Sequence, residues 1–532
     1  MAGFPFISFE KSFSKEKAAA MTYSTRLCLL MTTLCYGKPP GSADGNGCGT
    51  AARPLQDQIE PAFREILVLA EQFRAAPVTG EATLQFEEQL QLKLRELGRC
   101  VTQHTYNDLE PADVYLLPKH VRFEGACYTR LNRKTPQHVW TIFGQIRVFR
   151  VGYRSTTKNG DPTLFPLARA LGLIHGASPA SASRAGRIFA GAGMTQDQVR
   201  ARLRTEHGIG WGVKKLRQFL DELSERMTPQ RHDSQVARLL ELLREAHASA
   251  GKHTPVLAAG RDGICLGMRV KKGSVFAVAT TATVSVYDRS GKRLGTVYLA
   301  YAPQPEQVRM GRELTRLLRD VLAAWKGPQP RLCYVTDAGR SETSYYRQVL
   351  TVMRHPATGK RLKWQRVVDY YHASQRVWTM AESLFGKGRG AAWARKMLKW
   401  LLLPSGVNRV LHSAAAHRWR LQLRGKRKEA FVKAYRYLQR RMKYLRYAEY
   451  RSKGMPVGSG VTEAACKTVY TQRLKLSGQR WKDAGSQVVL DLRVILLSGV
   501  WDRAFLAVLR TSEGVRIVTD EPSLIESSEN AA

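Results

Sequence analysis

Three acidic residues have side chains and sequence positions suited to binding divalent metal ions. Asp262 and Asp337 each follow an apolar, strand-like run (VLAAGR and LCYVT), and each is followed by small residues. Glu463 comes after the turn GMPVGSG, at the start of a predicted helix. Hard cations such as Mg²⁺ or Mn²⁺ prefer a few carboxylates, with water in their remaining positions. The sequence predicts that Asp262, Asp337 and Glu463 converge on a site for two such ions.

The chemistry that such a site favours is phosphodiester cleavage. Two divalent ions about 3.5–4 Å apart activate the attacking oxygen and stabilise the leaving oxygen. Taken singly, each residue has an ordinary explanation. An Asp at a strand end is usually a turn residue, and a Glu at a helix start interacts favourably with the helix dipole. Only the combination of all three indicates catalysis.

Asp369 and His372, in VVDYYHASQRVW, form a fourth feature at the end of one predicted strand and the start of the next helix. A histidine near metal-bound DNA can hold a phosphate or orient a carboxylate. We therefore predict an accessory role in the active site for both residues. The alternative is a helix-capping Asp beside a surface His.

The elements that must position these residues follow the order β-β-β-α-β-α-β-α over residues 255–385, which is the order of a ribonuclease H-like α/β core. The first strand is predicted to end near Asp262. A right-handed crossover would set the fourth strand, which ends at Asp337, beside the first. Residues 386–453 are predicted to form a basic helical insertion, and residues 454–505 to complete the core with the helix of Glu463.

The flanking regions are predicted to be mainly helical. Residues 1–55 indicate a weakly ordered leader, and residues 506–532 a C-terminal tail. Residues 56–250 predict an N-terminal region with two amphipathic helices, a small β-hairpin over residues 138–154 that turns at Gly144 and Gln145, and a helix-turn-helix-like segment near residues 195–223. In its second helix, phosphate contacts are predicted for Lys214, Lys215 and Arg217.

The charge of the chain indicates a polyanionic partner. The formal net charge is +40, and residues 351–453 hold 26 Lys or Arg against four Asp or Glu. Such an excess in a compact protein points first to nucleic acid. Further DNA contacts are predicted at the basic residues around the Glu463 segment: Arg440, Arg441, Lys443, Arg446, Lys467, Arg473, Lys475 and Arg480. The sequence contains no apolar run of about 18 residues, so no membrane span is predicted. The eight Cys residues contain no CxxC pair, so no zinc is predicted.

Several passages resemble the ISKra group of bacterial insertion-sequence transposases, relatives of the Mutator-like DDE enzymes. They are RDGICLGMR, YVTDAG, VVDYYHASQRVW, MPVGSGVTEAACKTVYTQRLKLSGQRW and LRVILLSGVWD. The similarity runs from about Phe143 to Asp502. It implies that Asp262, Asp337 and Glu463 are the catalytic triad, and Asp369-x-x-His372 matches the D-x-x-H motif of Mutator-type enzymes. Many relatives have a Cys-rich element where this chain reads GYRSTTKNGDP without cysteine.

The sequence thus predicts a DNA transposase with two Mg²⁺ (or Mn²⁺) ions, an endonuclease that frees a 3′-OH and joins it to target DNA. The resemblance implies that residues 56–250 form the DNA-end-binding region. The expected partners are double-stranded DNA, as terminal inverted repeats and target, and further copies of the chain in a dimer or larger assembly. No membrane partner is expected, and the expected location is the bacterial cytoplasm, at the nucleoid. The alternatives are a stand-alone ribonuclease H-like nuclease, a non-catalytic DNA-binding protein derived from a transposase, and a protein that binds structured RNA.

Overall fold

A computed structural model of the protein describes residues 55–156, 162–191, 193–304, 307–511 and 516–518. Apart from residue 55, the predicted leader lies outside the described residues. The chain divides into two compact units. The first comprises Met1–Ala185, Asp197–Glu222 and Leu509–Ala532, and the second comprises Gly186–Gln196 and Leu223–Val508. One boundary between the two units falls at residues 222–223, inside the continuous helix Val213–Ala248.

The elements up to residue 248 are mainly helical. In chain order they are α1 (Leu55–Ala75), α2 (Gly80–Asn107), β1 (His120–Phe123), β2 (Ala126–Thr141), β3 (Gly144–Ser155), α3 (Pro166–Ala170), α4 (Pro179–Ala190), α5 (Gln196–His207) and α6 (Val213–Ala248). The two amphipathic helices and the hairpin are confirmed. The hairpin turns two residues earlier than predicted, at residues 142–143, so that Gly144 is already paired in β3.

The predicted helix-turn-helix is altered in its second helix. The second helix does not end near residue 223, because α6 is a single helix of 36 residues that includes Pro229 and continues to Ala248. A helix of this length extends well beyond what a recognition helix requires. Lys214, Lys215 and Arg217 nevertheless lie in its first two turns.

The remaining elements build the second unit and one late strand. They are β4 (Val256–Arg269), β5 (Ser274–Tyr287), β6 (Arg293–Tyr301), α7 (Val308–Ala324), β7 (Arg331–Thr336), α8 (Arg340–Tyr345), β8 (Trp364–Val368), α9 (Tyr370–Phe385), α10 (Ala391–Leu401), α11 (Gly406–Leu421), α12 (Gly425–Arg441), α13 (Tyr447–Ser452), α14 (Gly460–Ala465), α15 (Gln472–Leu474), α16 (Asp483–Leu497), α17 (Trp501–Arg510) and β9 (Arg516–Val518). The predicted tail therefore begins inside α17, and β9 pairs with β1 in the small antiparallel sheet β3-β2-β1-β9.

A five-stranded mixed sheet, in the order β6-β5-β4-β7-β8, forms the centre of the second unit. β4, β5 and β6 are antiparallel neighbours, whereas β7 runs parallel to both β4 and β8. The prediction that the fourth strand of this region lies beside the first is thus confirmed. The architecture is mixed α/β, with helices contributed by the predicted insertion between β8 and α14.

β4 is longer than predicted. It does not end near Asp262 but continues to Arg269, because β5 pairs with all 14 of its residues. The parallel pairing with β7, however, covers only residues 256–259 of β4. Asp262 therefore still lies just beyond the point where the two parallel strands separate, and the turn residue Asp337 directly follows β7.

The two faces of the sheet carry different neighbours because successive side chains of a strand alternate. Leu257 and Ala259 pack with Leu314 and Leu318 of α7 in one apolar core. Val256 and Ala258 belong to a second core, which includes side chains of α9 and of the basic helices α10–α13. By alternation Asp262 belongs to this second face, and its neighbour Arg261 belongs to the face of α7. Among the described residues, no helix is both long and apolar enough to cross a membrane.

Candidate active site

The charges of Asp337 and Glu463 act on the carboxylate of Asp262. Burial is the largest cause of the raised pKa of Asp262, and the negative charges of Asp337 and Glu463 raise this pKa further. Hydrogen bonds from the Gly263 backbone and the Cys466 thiol act in the opposite direction. Carboxylates from two other, distant parts of the chain therefore lie within electrostatic reach of Asp262 in the second unit.

Glu463 is held by the docking of α14 onto the sheet. The hydroxyl of Thr462 hydrogen-bonds that of Thr283 on β5 at 2.8 Å, and both residues are buried. α14 approaches β4 so closely that a Cβ at Gly260 would lie 2.1 Å from the Thr462 hydroxyl oxygen. Thr462 is thus an anchor inside the helix rather than its N-cap, which is Ser459.

A π-helical turn, Cys466–Thr471, follows α14. Such turns occur frequently at functional sites. Its first residue, Cys466, donates its thiol hydrogen to Oδ2 of Asp262 at 3.3 Å. Burial raises the pKa of this thiol well above its ordinary value, and the adjacent Asp262 carboxylate adds to the effect. The protonated thiol therefore orients Asp262 from the same segment that carries Glu463.

The loop after β7 holds Asp337 in a constrained conformation. Ala338 has a φ of 65°, in the left-handed region that a residue with a Cβ adopts at a cost. This conformation accompanies a 2.8 Å hydrogen bond from the Gly339 backbone amide to Oδ1 of Asp337. From the basic insertion, the hydroxyl of Tyr437 donates to the Asp337 backbone carbonyl at 2.8 Å, and Arg441 reaches the carbonyl of Ala338 at 3.4 Å. Helix α12 is therefore attached directly to the loop of Asp337.

Glu342 is a further acidic residue that the sequence analysis missed. It is 9% exposed and lies in the first turn of α8. Burial raises its pKa, and the charges of Asp337 and Asp262 contribute in the same direction. Its position five residues after Asp337, in the helix that follows the strand, was the available signal. A helix-start Glu has too many ordinary explanations for that spacing to identify it alone.

Asp369 is fully engaged by backbone and side-chain donors. Its Oδ1 accepts the amide hydrogen of His372 at 3.0 Å, and its Oδ2 accepts hydrogen bonds from both the amide and the hydroxyl of Ser459. Burial opposes its ionisation, but the hydrogen bonds from His372 and Ser459 outweigh burial and lower the pKa of Asp369 to about 2. The carboxylate therefore ties the start of α9 to the turn that precedes α14.

His372 lies between two carboxylates. Its Nδ1 is 3.7 Å from Oδ1 of Asp369 and 3.5 Å from Oε1 of Glu463, distances too long for a normal hydrogen bond. The neighbouring Asp369 is the main cause of its raised pKa, and the charges of Asp337 and Glu463 add to it. The hydroxyl of Ser459 also donates to Oε1 of Glu463 at 3.0 Å. His372 and Ser459 thus link Asp369 to the predicted catalytic Glu463.

The tightest potential ligand group differs from the predicted one. Among the described residues, Asp369, His372 and Glu463 form the group whose ligand atoms all lie within 4.8 Å of one another. Asp262 and Asp337 are not members, and the three predicted ligands do not form such a tight group themselves. Asp369 already accepts three hydrogen bonds, whereas Glu463 accepts one from Ser459, so Glu463 has more free capacity to bind a cation. We therefore assign Asp369 a positioning role.

Most of the basic residues predicted to contact DNA are accessible. Those exposed to solvent are Lys214, Arg217, Arg440, Lys443, Arg446, Lys467, Lys475 and Arg480, while Lys215 and Arg441 are partly buried. The prediction is wrong for Arg473, which is fully buried. Its guanidinium lies over the rings of Phe189 and Trp481 and donates to the Phe189 carbonyl. Arg473 therefore packs in the interior and presents no surface to DNA.

Replacing Asp369 by Asn should destabilise the second unit at neutral pH. An amide cannot accept all three hydrogen bonds, and the lowered pKa of Asp369 corresponds to roughly 2 kcal/mol of stability. That contribution is complete above the ordinary pKa of Asp and is lost as the pH falls towards 2. Denaturant midpoints should therefore be lower for Asp369→Asn at pH 7, and the difference should shrink below pH 4.

The matched control is Asp483→Asn, which changes an exposed Asp at the start of α16. It should leave the midpoint nearly unchanged at both pH values. Equal midpoints for Asp369→Asn and the wild type at pH 7 would contradict the positioning role.

Comparison with known proteins finds no family whose model matches this chain and no matching curated protein.

Proposed function

We propose that this chain is a DDE-type DNA transposase, similar to the ISKra group, that cleaves DNA at insertion-sequence ends and joins the freed 3′-OH to target DNA. The observation that carries the proposal is the electrostatic coupling of Asp262 to Asp337 and Glu463 in a chain of net charge +40. Like charges are concentrated in one place although the rest of the protein is strongly basic. Close like charges cost free energy unless a bound cation offsets their repulsion, and such clusters of perturbed carboxylates are typical of functional sites.

The topology supports a ribonuclease H-like core within this proposal. Three antiparallel strands are followed by two parallel ones, in the spatial order third-second-first-fourth-fifth. Asp262 belongs to the first of these strands, Asp337 follows the fourth, and Glu463 belongs to a later helix. This is the distribution of acids that the proposed chemistry requires.

The donor set fits Mg²⁺ or Mn²⁺. Asp262, Asp337 and Glu463 offer carboxylate oxygens, which hard cations prefer, and Glu342 lies close enough for its pKa to respond to both aspartates. When bound, such cations would supply charge neutralisation and activation of the attacking oxygen. We propose Asp262, Asp337 and Glu463 as the ligands.

The surrounding residues have separate roles in the proposal. His372, with its raised pKa, carries a positive charge over a wider pH range than an ordinary His and can hold a phosphate oxygen beside Glu463. Asp369 fixes the His372 segment, and Tyr437 fixes the loop of Asp337. A groove of about 700 Å³ on α12 is lined by Lys428, Lys433, Arg436, Arg440 and Arg441 together with Tyr437. DNA bound along this groove would be held next to the Asp337 loop.

The proposal is tested with the full-length protein and duplexes taken from the DNA that flanks its gene. With Mg²⁺, we expect a nick at the element end that leaves a 3′-OH. A pre-cut duplex with that 3′-OH, supplied with a supercoiled plasmid, should then become joined to the plasmid. Joined product, detected by gel electrophoresis and sequencing, is the expected result.

The other outcomes identify the alternatives. Nicking without joining of pre-cut ends would favour a stand-alone nuclease. Tight binding of the duplex without any metal-dependent nicking would favour a non-catalytic DNA-binding protein. Preference for structured RNA over the end-bearing duplex at the same salt concentration would favour RNA binding, since electrostatic binding must be compared at matched salt.

A further inference from the structure

A second basic pocket lies on the α7 side of the central sheet. Its volume is about 1110 Å³, and it is bounded by α7, α8 and the strand β4. Five arginines line it, and the lining contains one carboxylate, that of Asp320; the arginines are Arg261, Arg312, Arg316, Arg319 and Arg340. We call it the arginine pocket. None of these arginines was predicted from the sequence to contact DNA.

Three of the arginines form a stripe along α7. Arg312, Arg316 and Arg319 are four and three residues apart, a spacing that puts them on one face of a helix. All three are exposed, while Leu314, Leu317 and Leu318 of the same helix are buried against the sheet. The stripe spans roughly 10 Å along the helix axis.

The local ion pairs leave most of this charge uncompensated. Arg312 lies 3.5 Å from Glu313, and Arg316 lies 3.7 Å from Asp320. Within the described part of the chain, no carboxylate lies within 4.0 Å of the side-chain nitrogens of Arg319 or Arg340. The pocket therefore retains a strong positive potential.

Arg261 lines the pocket as a buried cation. It is 6% exposed, donates to Oε1 of Gln307 at 3.1 Å, and lies 4.8 Å from the centre of the Tyr345 ring. The carboxylate of Glu342 compensates part of this buried charge, since Arg261 is among the groups that act to lower the pKa of Glu342. The hydroxyl group of Ser341 lines the same pocket and can donate to the same anion, whereas the hydroxyl of Ser344 donates to Oε1 of Gln348 at 2.8 Å. The pocket is therefore a built site for an anion rather than an exposed basic surface alone.

The chemistry and size of the pocket fit several phosphates in a row. A guanidinium presents a planar fork of donors that matches phosphate oxygens. One nucleic-acid strand carries a phosphate about every 3.4 Å along a duplex axis, so the roughly 10 Å stripe of α7 corresponds to about three phosphates. A single inorganic phosphate would use only part of the pocket.

The pocket is close to the acidic residues along the chain. Arg261 directly precedes Asp262, and Arg340 comes three residues after Asp337. Three residues of chain span at most about 11 Å. Helix α8 presents Arg340, Ser341 and Ser344 to the pocket, whereas its Glu342 is coupled to Asp337. Arg261 and Asp262 nevertheless lie on opposite faces of β4, so the pocket is a surface separate from that of the acids, and α8 carries residues of both.

We infer that the arginine pocket binds the sugar–phosphate backbone of DNA, as a contact separate from both the acidic residues and the groove on α12. The inference rests on the proposed function only in taking DNA as the nucleic acid. It assigns the pocket to binding and gives it no part in the chemical step.

The test is the affinity of the full-length protein for a duplex, measured by fluorescence anisotropy in EDTA over a series of salt concentrations. The double variant Arg312→Gln/Arg319→Gln removes two exposed charges of the stripe. Each lost phosphate contact should lower the slope of log K against log salt by about 0.9. Affinity at 0.1 M salt should therefore fall roughly 60-fold.

The matched control is Lys326→Gln/Arg347→Gln, which removes two exposed charges from neighbouring segments outside the pocket. A second pocket variant, Ser344→Glu, adds a carboxylate and should weaken binding by at least 10-fold. If both pocket variants bind no more weakly than the control, the inference is wrong. The binding measurement is independent of the chemistry, because EDTA prevents cleavage. If the pocket variants show these losses of affinity but the protein never cleaves or joins DNA, the proposed chemistry is refuted and the assignment of the pocket to DNA binding stands.

Discussion

Replacement of Asp262 by Asn, of Asp337 by Asn or of Glu463 by Gln is expected to abolish metal-dependent DNA cleavage and to spare DNA binding. The amides keep the shape of the side chains but offer a hard cation a weaker, uncharged ligand. Several kcal/mol of transition-state stabilisation should be lost, which corresponds to about a 10³-fold lower rate. Gel assays of nicking and anisotropy measurements of binding on the same preparations check both parts.

The thermal stability of the same variants, with and without Mg²⁺, should show whether these carboxylates bind a metal ion. The raised pKa of Asp262 means that its ionised form is disfavoured in the folded protein at pH 7. In EDTA, Asp262→Asn should therefore unfold at the wild-type temperature or slightly above it. Saturating Mg²⁺ should stabilise the wild type, by about 2.7 kcal/mol at 100 times its Kd, and should stabilise the variant much less.

Asp233→Asn is the control, because Asp233 is an exposed acid of the same unit on α6. It should retain cleavage and the Mg²⁺-dependent stabilisation. A triple variant of Asp262, Asp337 and Glu463 that still cleaves DNA would refute the assignment. A wild-type melting temperature that does not respond to Mg²⁺ or Mn²⁺ would contradict the metal site independently of any DNA substrate.

The sheet and the neighbourhood of its acids could be predicted because short-range patterns determine them. Alternating apolar residues identified the strands, and chain order indicated that the strand leading to Asp337 pairs with that of Asp262. The extension of β4 to Arg269 could not be predicted from its own sequence, since it depends on pairing with β5 over 14 residues. The Glu463 segment was identified, but the anchoring of Thr462 could not be, because its partner Thr283 lies 179 residues away in the sequence.

The remaining differences have a common physical origin in tertiary contacts. Asp369 and Ser459 lie 90 residues apart, so no local sequence pattern predicts the hydrogen bonds between them. Arg473 belongs to a basic segment that resembles an exposed face, yet the rings of Phe189 and Trp481 enclose it. The arginine pocket combines residues of β4, α7 and α8. Charge can be counted from the sequence, but its location on a surface requires the fold.

Gly260→Ala is expected to be among the most damaging single substitutions in the second unit. The backbone of Gly260 would tolerate alanine, since its φ is not in the left-handed region. The space would not, because the new Cβ would lie 2.1 Å from the Thr462 hydroxyl oxygen and 3.1 Å from the Val335 carbonyl oxygen. Helix α14 would have to move away from the sheet, and Glu463 is the residue directly after Thr462. We expect a loss of about 2–4 kcal/mol in unfolding free energy and at least about 100-fold in cleavage rate.

A double-variant cycle with Thr462→Ala separates this clash from other effects. Thr462→Ala alone should cost about 1–3 kcal/mol, because it leaves the buried Thr283 hydroxyl without its partner. Combined with Gly260→Ala it removes the closest atom, so the double variant should be more stable than the sum of the single effects predicts. Gly485→Ala is the control, since a Cβ there meets nothing within 4 Å and alanine favours the helix α16. Strictly additive effects at Gly260 and Thr462, or a fully active Gly260→Ala variant, would contradict the close docking of α14 on which the position of Glu463 depends.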